Sequence, residues 1–193
     1  MLTKEDLRVV KTKRNIEETF LSLLEKSTFE HITVKQILEA ALISKGTFYA
    51  HYFDKYDLAE KLVARALQEF RLGIHERLVW LLSKDSQSEV WSSLQKTMQK
   101  TIPRLILLRK IRTDTIDVND SMKSIIREEF LAFQESRGVK LSNPTLNAQI
   151  ATNLVMGFIE WQLEHPNQIS LKDYIKEIHS LSAELYQMAN IRR

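Results

Sequence analysis

The sequence contains no cysteine and few of the residues that interrupt helices. Its 193 residues include four glycines and three prolines. Without cysteine, a disulfide framework, a thiolate zinc site and a cysteine nucleophile are all excluded. No apolar run approaches the roughly 18 residues of a membrane span, and the N-terminus lacks the apolar core of a signal peptide. These absences predict a cytoplasmic protein with no membrane partner.

Signatures of catalysis and of metal binding are also missing. No G-x-S-x-G, P-loop or Rossmann glycine pattern occurs, and the five histidines show no HExxH or similar ligand spacing. We therefore expect no enzyme, no metal site and no cofactor. The formal net charge of +3 permits an anionic partner without requiring one.

Helical periodicity is present almost everywhere in the chain. Apolar residues recur at spacings of three and four, and the alternation typical of strands is absent, so we predict an all-α protein. Pro103 is expected to kink or split the helix that contains it. After a first long helix and two short ones, longer helices are predicted at 54–83, 88–112, 121–138, 143–164 and 171–190.

The stretch ISKGTFYAHYFDKYDL, residues 43–58, crowds five aromatic residues, a histidine and a glycine together. Just before it, Thr33 and Gln36 have the spacing of a capping box, which starts a helix. Ser44 then opens a second short helix, and Asp54 caps a third. Two short helices joined by a tight turn form a helix-turn-helix, whose second helix lies in the DNA major groove.

The residue types of the second helix suit contact with DNA. Ser44 as N-cap leaves backbone amides of the first turn available to a phosphate, and Lys45 supplies positive charge. Gly46 has no side chain and lets the duplex approach closely. Thr47 and Tyr49 can donate hydrogen bonds to bases or touch a thymine methyl group.

The rest of the stretch divides between anchoring and phosphate contact. Phe48 and Tyr52 are four residues apart, so both can face inward and hold the helix in place. His51 and Lys55 are predicted to contact phosphates of the DNA backbone. We thus predict a helix-turn-helix module of three helices at residues 1–53 and a larger helical bundle at 54–193.

The segment TVKQILEAALISKGTFYAHYFDKYDL closely resembles the helix-turn-helix of TetR-family (TetR/AcrR-type) transcriptional regulators. The pattern of that family runs T-V-x-x-I-x-x-x-A-G-V-S-x-G-T-x-Y-x-H-F-x-x-K-x-x-L. The resemblance implies that Thr33 contacts the phosphate backbone of double-stranded DNA. FEHITVKQI and GFIEWQLEHPNQIS resemble, more loosely, short bacterial regulators that include those of dihydroxyacetone utilisation.

Two departures from the family pattern are notable. Leu42 stands where the family usually has the glycine of the turn, and a left-handed backbone there costs a non-glycine residue about 1 kcal/mol. Phe53 is apolar where a polar residue is more usual, so it is either exposed or packed against the first long helix.

The resemblance also implies that residues 54–193 form a helical effector-binding and dimerisation domain. The last two helices would pair with those of a second copy in a homodimer, presenting two helix-turn-helix modules to a palindromic operator. A small-molecule effector would release this regulator, expected to be a repressor, from DNA. The alternative is a co-regulator that acts through a protein partner. The interface residues expected from the helical pattern are Leu154, Phe158, Trp161, Ile178, Leu181 and Leu185.

Overall fold

A computed structural model describes residues 4–80, 89–138, 140–165 and 168–191. These residues are almost entirely helical, and among them the only β-type pairing is an isolated bridge between Arg112 and Asp117. The predicted all-α fold is confirmed. The described residues form a short 3-10 helix, Phe29–His31, and eight α-helices: α1 (Lys4–Lys26), α2 (Val34–Ala41), α3 (Lys45–Tyr49), α4 (Lys55–Trp80), α5 (Glu89–Leu108), α6 (Val118–Ser136), α7 (Pro144–Glu164) and α8 (Leu171–Ile191).

The chain divides into two compact units, Met1–Val139 and Lys140–Arg193. The first unit contains α1 to α6, because the 26-residue helix α4 starts beside the short helices and then packs along α5 and α6. The second contains α7 and α8. Residues 1–53 are predicted to bind DNA, and residues 54–193 to bind the effector and to dimerise. This division of function differs from the division into compact units, and it stays a prediction.

The helix starts follow the caps that the sequence predicts. The Thr33 hydroxyl accepts a hydrogen bond from the Gln36 backbone N–H while the Gln36 side chain accepts one from the Thr33 N–H, which completes the capping box of α2. Asp54 accepts hydrogen bonds from two first-turn amides of α4. Helix α5 runs on through Pro103 to Leu108, so this proline does not split the helix.

Helices α1 to α3, with the turns up to residue 53, are called the head below. An apolar core holds them together, to which α1 contributes the i, i+4, i+8 stripe Ile16, Phe20 and Leu24. Asn15 also donates a side-chain hydrogen bond of 2.9 Å to the Ala41 carbonyl at the end of α2. The largest fully buried side chains that the head adds to these are Phe29, Ile32, Ile37, Phe48 and Tyr52.

The second unit is a pair of helices in close contact. The rings of Phe158 on α7 and Tyr174 on α8 lie 5.1 Å apart, centre to centre. A Cβ atom at Gly157 would meet the Tyr174 hydroxyl at 3.0 Å, so glycine is what allows the approach that the sequence predicts here. Ala148, Thr152, Met156 and Ile159 form one buried stripe along α7.

Candidate nucleic-acid interface

Helix α3 is short and begins at a serine cap. The Ser44 backbone is extended, and its hydroxyl accepts a 3.1 Å hydrogen bond from the Thr47 backbone N–H. The hydroxyl groups of Ser44 and Thr47 are also 2.8 Å apart, which fixes both side chains at the start of the helix. With five residues, α3 has little intrinsic stability, so its position depends on side chains that pack beneath it.

Those anchors are the two aromatic residues predicted to face inward. Phe48 and Tyr52 are almost completely buried, and their ring centres are 5.8 Å apart. The Tyr52 hydroxyl donates a 2.8 Å hydrogen bond to Oε1 of Glu17 on α1. Burial, and then this hydrogen bond to a carboxylate, raises the pKa of Tyr52 well above its usual range, so the hydroxyl keeps its proton and remains a donor.

The residues of α3 and its cap that are predicted to contact DNA lie on the opposite side from these anchors. Ser44, Lys45, Gly46 and Tyr49 are exposed, and Thr47 is half-buried. The Lys45 ammonium group lies 5.8 Å from the centre of the Tyr49 ring, so charge and aromatic surface are adjacent. A Cβ atom at Gly46 would meet only the Ser44 hydroxyl oxygen, at 3.8 Å, so no contact within the described protein requires glycine here.

The turn between α2 and α3 has the left-handed backbone expected at the glycine of the pattern. Leu42 has φ 54° and ψ 45° and is 91% exposed. Its N–H and that of Ile43 close the turn by hydrogen bonds to carbonyls near the end of α2. Phe53, the second departure from the pattern, is 83% exposed rather than packed on α1.

The predicted phosphate contacts occupy different settings. Thr33 is exposed at the start of α2, and its hydroxyl takes part in the capping box. His51 is half-buried directly after α3. Lys55 donates hydrogen bonds to the carbonyls of Phe29, Glu30 and Ile32, at 2.9, 3.0 and 2.9 Å. Because these bonds use all three donors of the ammonium group, the geometry favours a structural role for Lys55, and its phosphate contact stays a prediction.

Sequence reasoning missed the partners of Tyr52. Glu17 on α1 is 9% exposed, and besides the Tyr52 hydroxyl it binds the guanidinium group of Arg65 on α4. One signal was available. The motif has phenylalanine at the position of Tyr52, so the additional hydroxyl group needs a partner inside the core.

The residues predicted for the dimer interface all lie in the second unit. Leu154, Phe158 and Ile178 are half-buried, whereas Trp161, Leu181 and Leu185 are exposed. No residue of α8 is buried within 173–189, the part of the helix whose side chains are described. Large apolar side chains of α8 that are more than 45% exposed are Ile175, Leu181, Leu185, Tyr186 and Met188.

Clusters of metal-binding side chains and membrane-spanning helices are both absent from the residues that the structure describes. Those residues contain no group of three histidine, aspartate or glutamate residues that could hold a metal ion. No helix formed by these residues is long and apolar enough to cross a membrane. Between α4 and α6 the first unit has an open groove, lined by Ala64, Leu67, Gln68, Arg71, Ser121, Ser124 and Ile125.

Comparison by sequence finds a short match. No protein-family model matches the chain. The uncharacterized HTH-type transcriptional regulator YxbF of Bacillus subtilis (strain 168) is 35% identical over 65 residues, which are 33% of this chain. That match spans only 17% of the length of YxbF.

Comparison by structure covers most of the chain. A transcriptional regulator (TerR/AcrR family) from Aquifex aeolicus VF5 is similar with a TM-score of 0.57 at 17% identity, over 90% of this chain and 99% of that one. The SmeT-triclosan complex gives 0.54 at 18% identity, over 84% and 85% of the two chains. A gamma-butyrolactone receptor (ArpA-like protein) gives 0.53 at 19% identity, over 94% and 99%. The chain therefore has the all-α, TetR-like fold of these structures.

Proposed function

We propose that this protein is a dimeric transcriptional repressor that binds a palindromic DNA operator and is released by a small-molecule effector. The observation that carries the proposal is the division of α3 into two faces. Phe48 and Tyr52 are buried beneath the helix, while Lys45 and Tyr49 are exposed on it. A short helix that is firmly anchored and presents a cation and a phenol suits the major groove, where both groups can donate hydrogen bonds to base edges.

The similar structures support a regulatory function. Two of them are a transcriptional regulator and a gamma-butyrolactone receptor, and the third is a complex with triclosan. An effector of this chain would act by binding one arrangement of the two heads more tightly than the other. Its effect on DNA binding can be no larger than that difference in affinity. The looser likeness to short bacterial regulators that include those of dihydroxyacetone utilisation stays a prediction about the subgroup alone.

The homodimer is supported by the exposed apolar surface of α8. Leu181 and Leu185 are one helical turn apart and each 56% exposed. A second copy related by a twofold axis would cover these side chains. The native mass of the purified protein tests this pairing: twice the chain mass supports the homodimer, and a monomer contradicts it. The alternative is a co-regulator that acts through a protein partner rather than a small ligand. Co-purification of the chain with a cellular protein favours this alternative, and full regulation by a small molecule in a purified system contradicts it.

The test begins by selecting a duplex with the purified wild-type chain from a pool of randomised DNA. Lys45→Ala and Tyr49→Ala should each abolish specific binding to the selected duplex while the native mass stays that of the dimer. For the DNA binding that remains, Lys45→Ala should also reduce the slope of log affinity against log salt by about one, because the protein has lost one cation that contacts DNA. Unchanged affinity in both variants would contradict the proposed interface.

Lys35→Ala is the matched control for charge. Lys35 lies on α2 with its side chain exposed, and its ammonium group is 3.8 Å from Glu39. This substitution removes one positive charge from the head without touching α3. It should therefore leave discrimination between the selected duplex and a scrambled duplex unchanged.

A further inference from the structure

A buried carboxylate lies where three elements of the first unit meet. Glu17 on α1 is 9% exposed, and its Oε1 accepts the 2.8 Å hydrogen bond from the Tyr52 hydroxyl. Its other oxygen, Oε2, accepts a hydrogen bond from the guanidinium group of Arg65 on α4. We call these three residues the Glu17 bridge. It joins Tyr52, three residues after the end of α3, to the long helix α4 through one side chain.

Stability alone does not explain this bridge. Its surroundings on α1 are the fully buried Ile16 and Phe20, and moving a carboxylate out of water costs free energy that its partners must offset. The Arg65 side chain is 41% exposed, so solvent weakens its attraction to the Glu17 carboxylate. Well-packed apolar side chains in place of a buried charge and its partner are often as stable or more so. Hydrogen bonds, unlike apolar contacts, have a preferred direction and length. The bridge therefore adds orientation to a core that already packs well.

The member whose orientation matters most is Tyr52. Its backbone N–H bonds to the Phe48 carbonyl, so Tyr52 continues directly from the last turn of α3. Its ring contacts Phe48, the main anchor of that helix. A shift of the Tyr52 hydroxyl would therefore rotate or tilt the short helix that carries Lys45 and Tyr49.

The other end of the bridge belongs to the bundle. Arg65 lies in the middle of α4, which packs along α5 and α6 over its length. Arg71, two turns further along α4, pairs with Glu129 of α6 at 2.9 Å. Movement of α4 relative to α1 must stretch the bond between Arg65 and Glu17, and the same carboxylate holds Tyr52.

We propose that Glu17, Tyr52 and Arg65 are positioning residues for DNA recognition, which set the orientation of α3 relative to α4. This inference rests on the proposed function. None of the three has to touch DNA. They act on sequence-specific binding, which requires aligned base contacts, and leave non-specific binding, which depends on phosphate charge, largely unchanged.

The test compares two affinities for each variant of the full-length protein at a temperature where it is folded. One is for the duplex selected by the wild type, and the other is for a scrambled duplex of the same composition. Tyr52→Phe keeps the buried ring and removes only the hydroxyl, so it should lower the ratio of these affinities roughly three- to ten-fold, the range expected for one typical hydrogen bond. A purely structural role would lower both affinities together and leave their ratio unchanged.

Double substitution shows whether the three residues act as one unit. Arg65→Gln should lower the ratio as well, and Tyr52→Phe combined with Arg65→Gln should lower it by less than the product of the single effects, because both bonds end on Glu17. Should Arg65→Gln prevent folding, Tyr52→Phe and Glu17→Gln provide the same pair. Independent, multiplying effects would overturn the bridge as a unit.

Arg71→Gln is the matched control. It removes an arginine from the same helix and breaks an ion pair of the same kind, but that pair joins α4 to α6 and not to the head. It should lower the melting temperature and leave the affinity ratio unchanged. Equal ratios in wild type, Tyr52→Phe and Glu17→Gln would overturn the inference while leaving the proposed function intact. A wild type that enriches no duplex would contradict the proposed function itself.

Discussion

The head buries a core of large apolar side chains, whereas the last helix, α8, leaves most of its described apolar side chains exposed. In the head, Phe20, Phe29 and Phe48 are buried within a single chain, and the polar groups among them have partners. On α8, Leu181 and Leu185 are more than half exposed, and no described side chain from residue 173 to 189 is buried. The core side chains of the head are thus covered within the first unit, where Phe29 also meets Tyr56 of α4, whereas the described side chains of α8 are not buried.

This difference separates two kinds of interface. The proposed surface for DNA must be polar and rigid. In the head, buried aromatic residues anchor a short helix, and Lys45 and Tyr49 are exposed on it. The proposed surface for a second copy is apolar, and its burial would contribute free energy only on association.

Phe48→Ala should destabilise the first unit most. It removes a fully buried ring beneath α3 and leaves a cavity, which costs roughly 3–5 kcal/mol of unfolding free energy. Denaturant unfolding followed by circular dichroism measures the loss. Phe53→Ala removes the same ring from a site that is 83% exposed and should change stability by less than about 0.5 kcal/mol. Similar losses of unfolding free energy in the two variants would contradict the burial of Phe48 beneath α3.

Leu181→Lys combined with Leu185→Lys should separate the proposed dimer. Four charges in an apolar interface, two from each copy, raise its dissociation constant at least about 100-fold, which corresponds to roughly 2.7 kcal/mol. Light scattering after size-exclusion chromatography measures the native mass. Leu72→Lys is the control, since Leu72 lies on α4 and is also 56% exposed. A double variant that keeps the wild-type mass would show that α8 is not the interface.

Lys55→Met should destabilise the head moderately. Methionine keeps the apolar stem but leaves the carbonyls of residues 29, 30 and 32 without their charged donor. We expect a loss of roughly 1–3 kcal/mol in unfolding free energy. Full stability, together with a salt slope of DNA binding lowered by about one, would instead support the phosphate contact predicted from the sequence.

Leu42→Gly should increase stability slightly. Leu42 has a left-handed backbone, which costs a non-glycine residue about 1 kcal/mol, and glycine removes this cost. The greater conformational freedom of glycine in the unfolded chain offsets part of the gain in stability. Leu42→Ala keeps the unfavourable backbone and should show no gain. Thermal unfolding distinguishes the two, and equal midpoints would indicate that the turn carries no strain.

Local chemistry made much of this fold predictable. The capping box at Thr33, the cap at Asp54 and the inward faces of Phe48 and Tyr52 depend only on spacing and residue type, and all appear in the structure. The left-handed turn at Leu42 followed from its place in the motif.

Contacts between distant segments were not predictable in this way. The bonds of Lys55 end on carbonyls 23 to 26 residues earlier, at a 3-10 helix that has no periodic signal. The partner of Tyr52 is 35 residues away on α1. Such pairings depend on how the helices cross, which spacing along one helix does not specify. Both are therefore findings of the structure.

The most direct test of the account is the pattern of the DNA that the wild-type chain enriches from a randomised pool, measured with the number of chains bound per duplex. If a dimer binds a palindromic operator, the enriched DNA is an inverted repeat bound by two copies of the chain, and its half-site centres are about 10 base pairs, or a multiple of that, apart. A single unrepeated site bound by one chain, or no enrichment at all, would contradict the account.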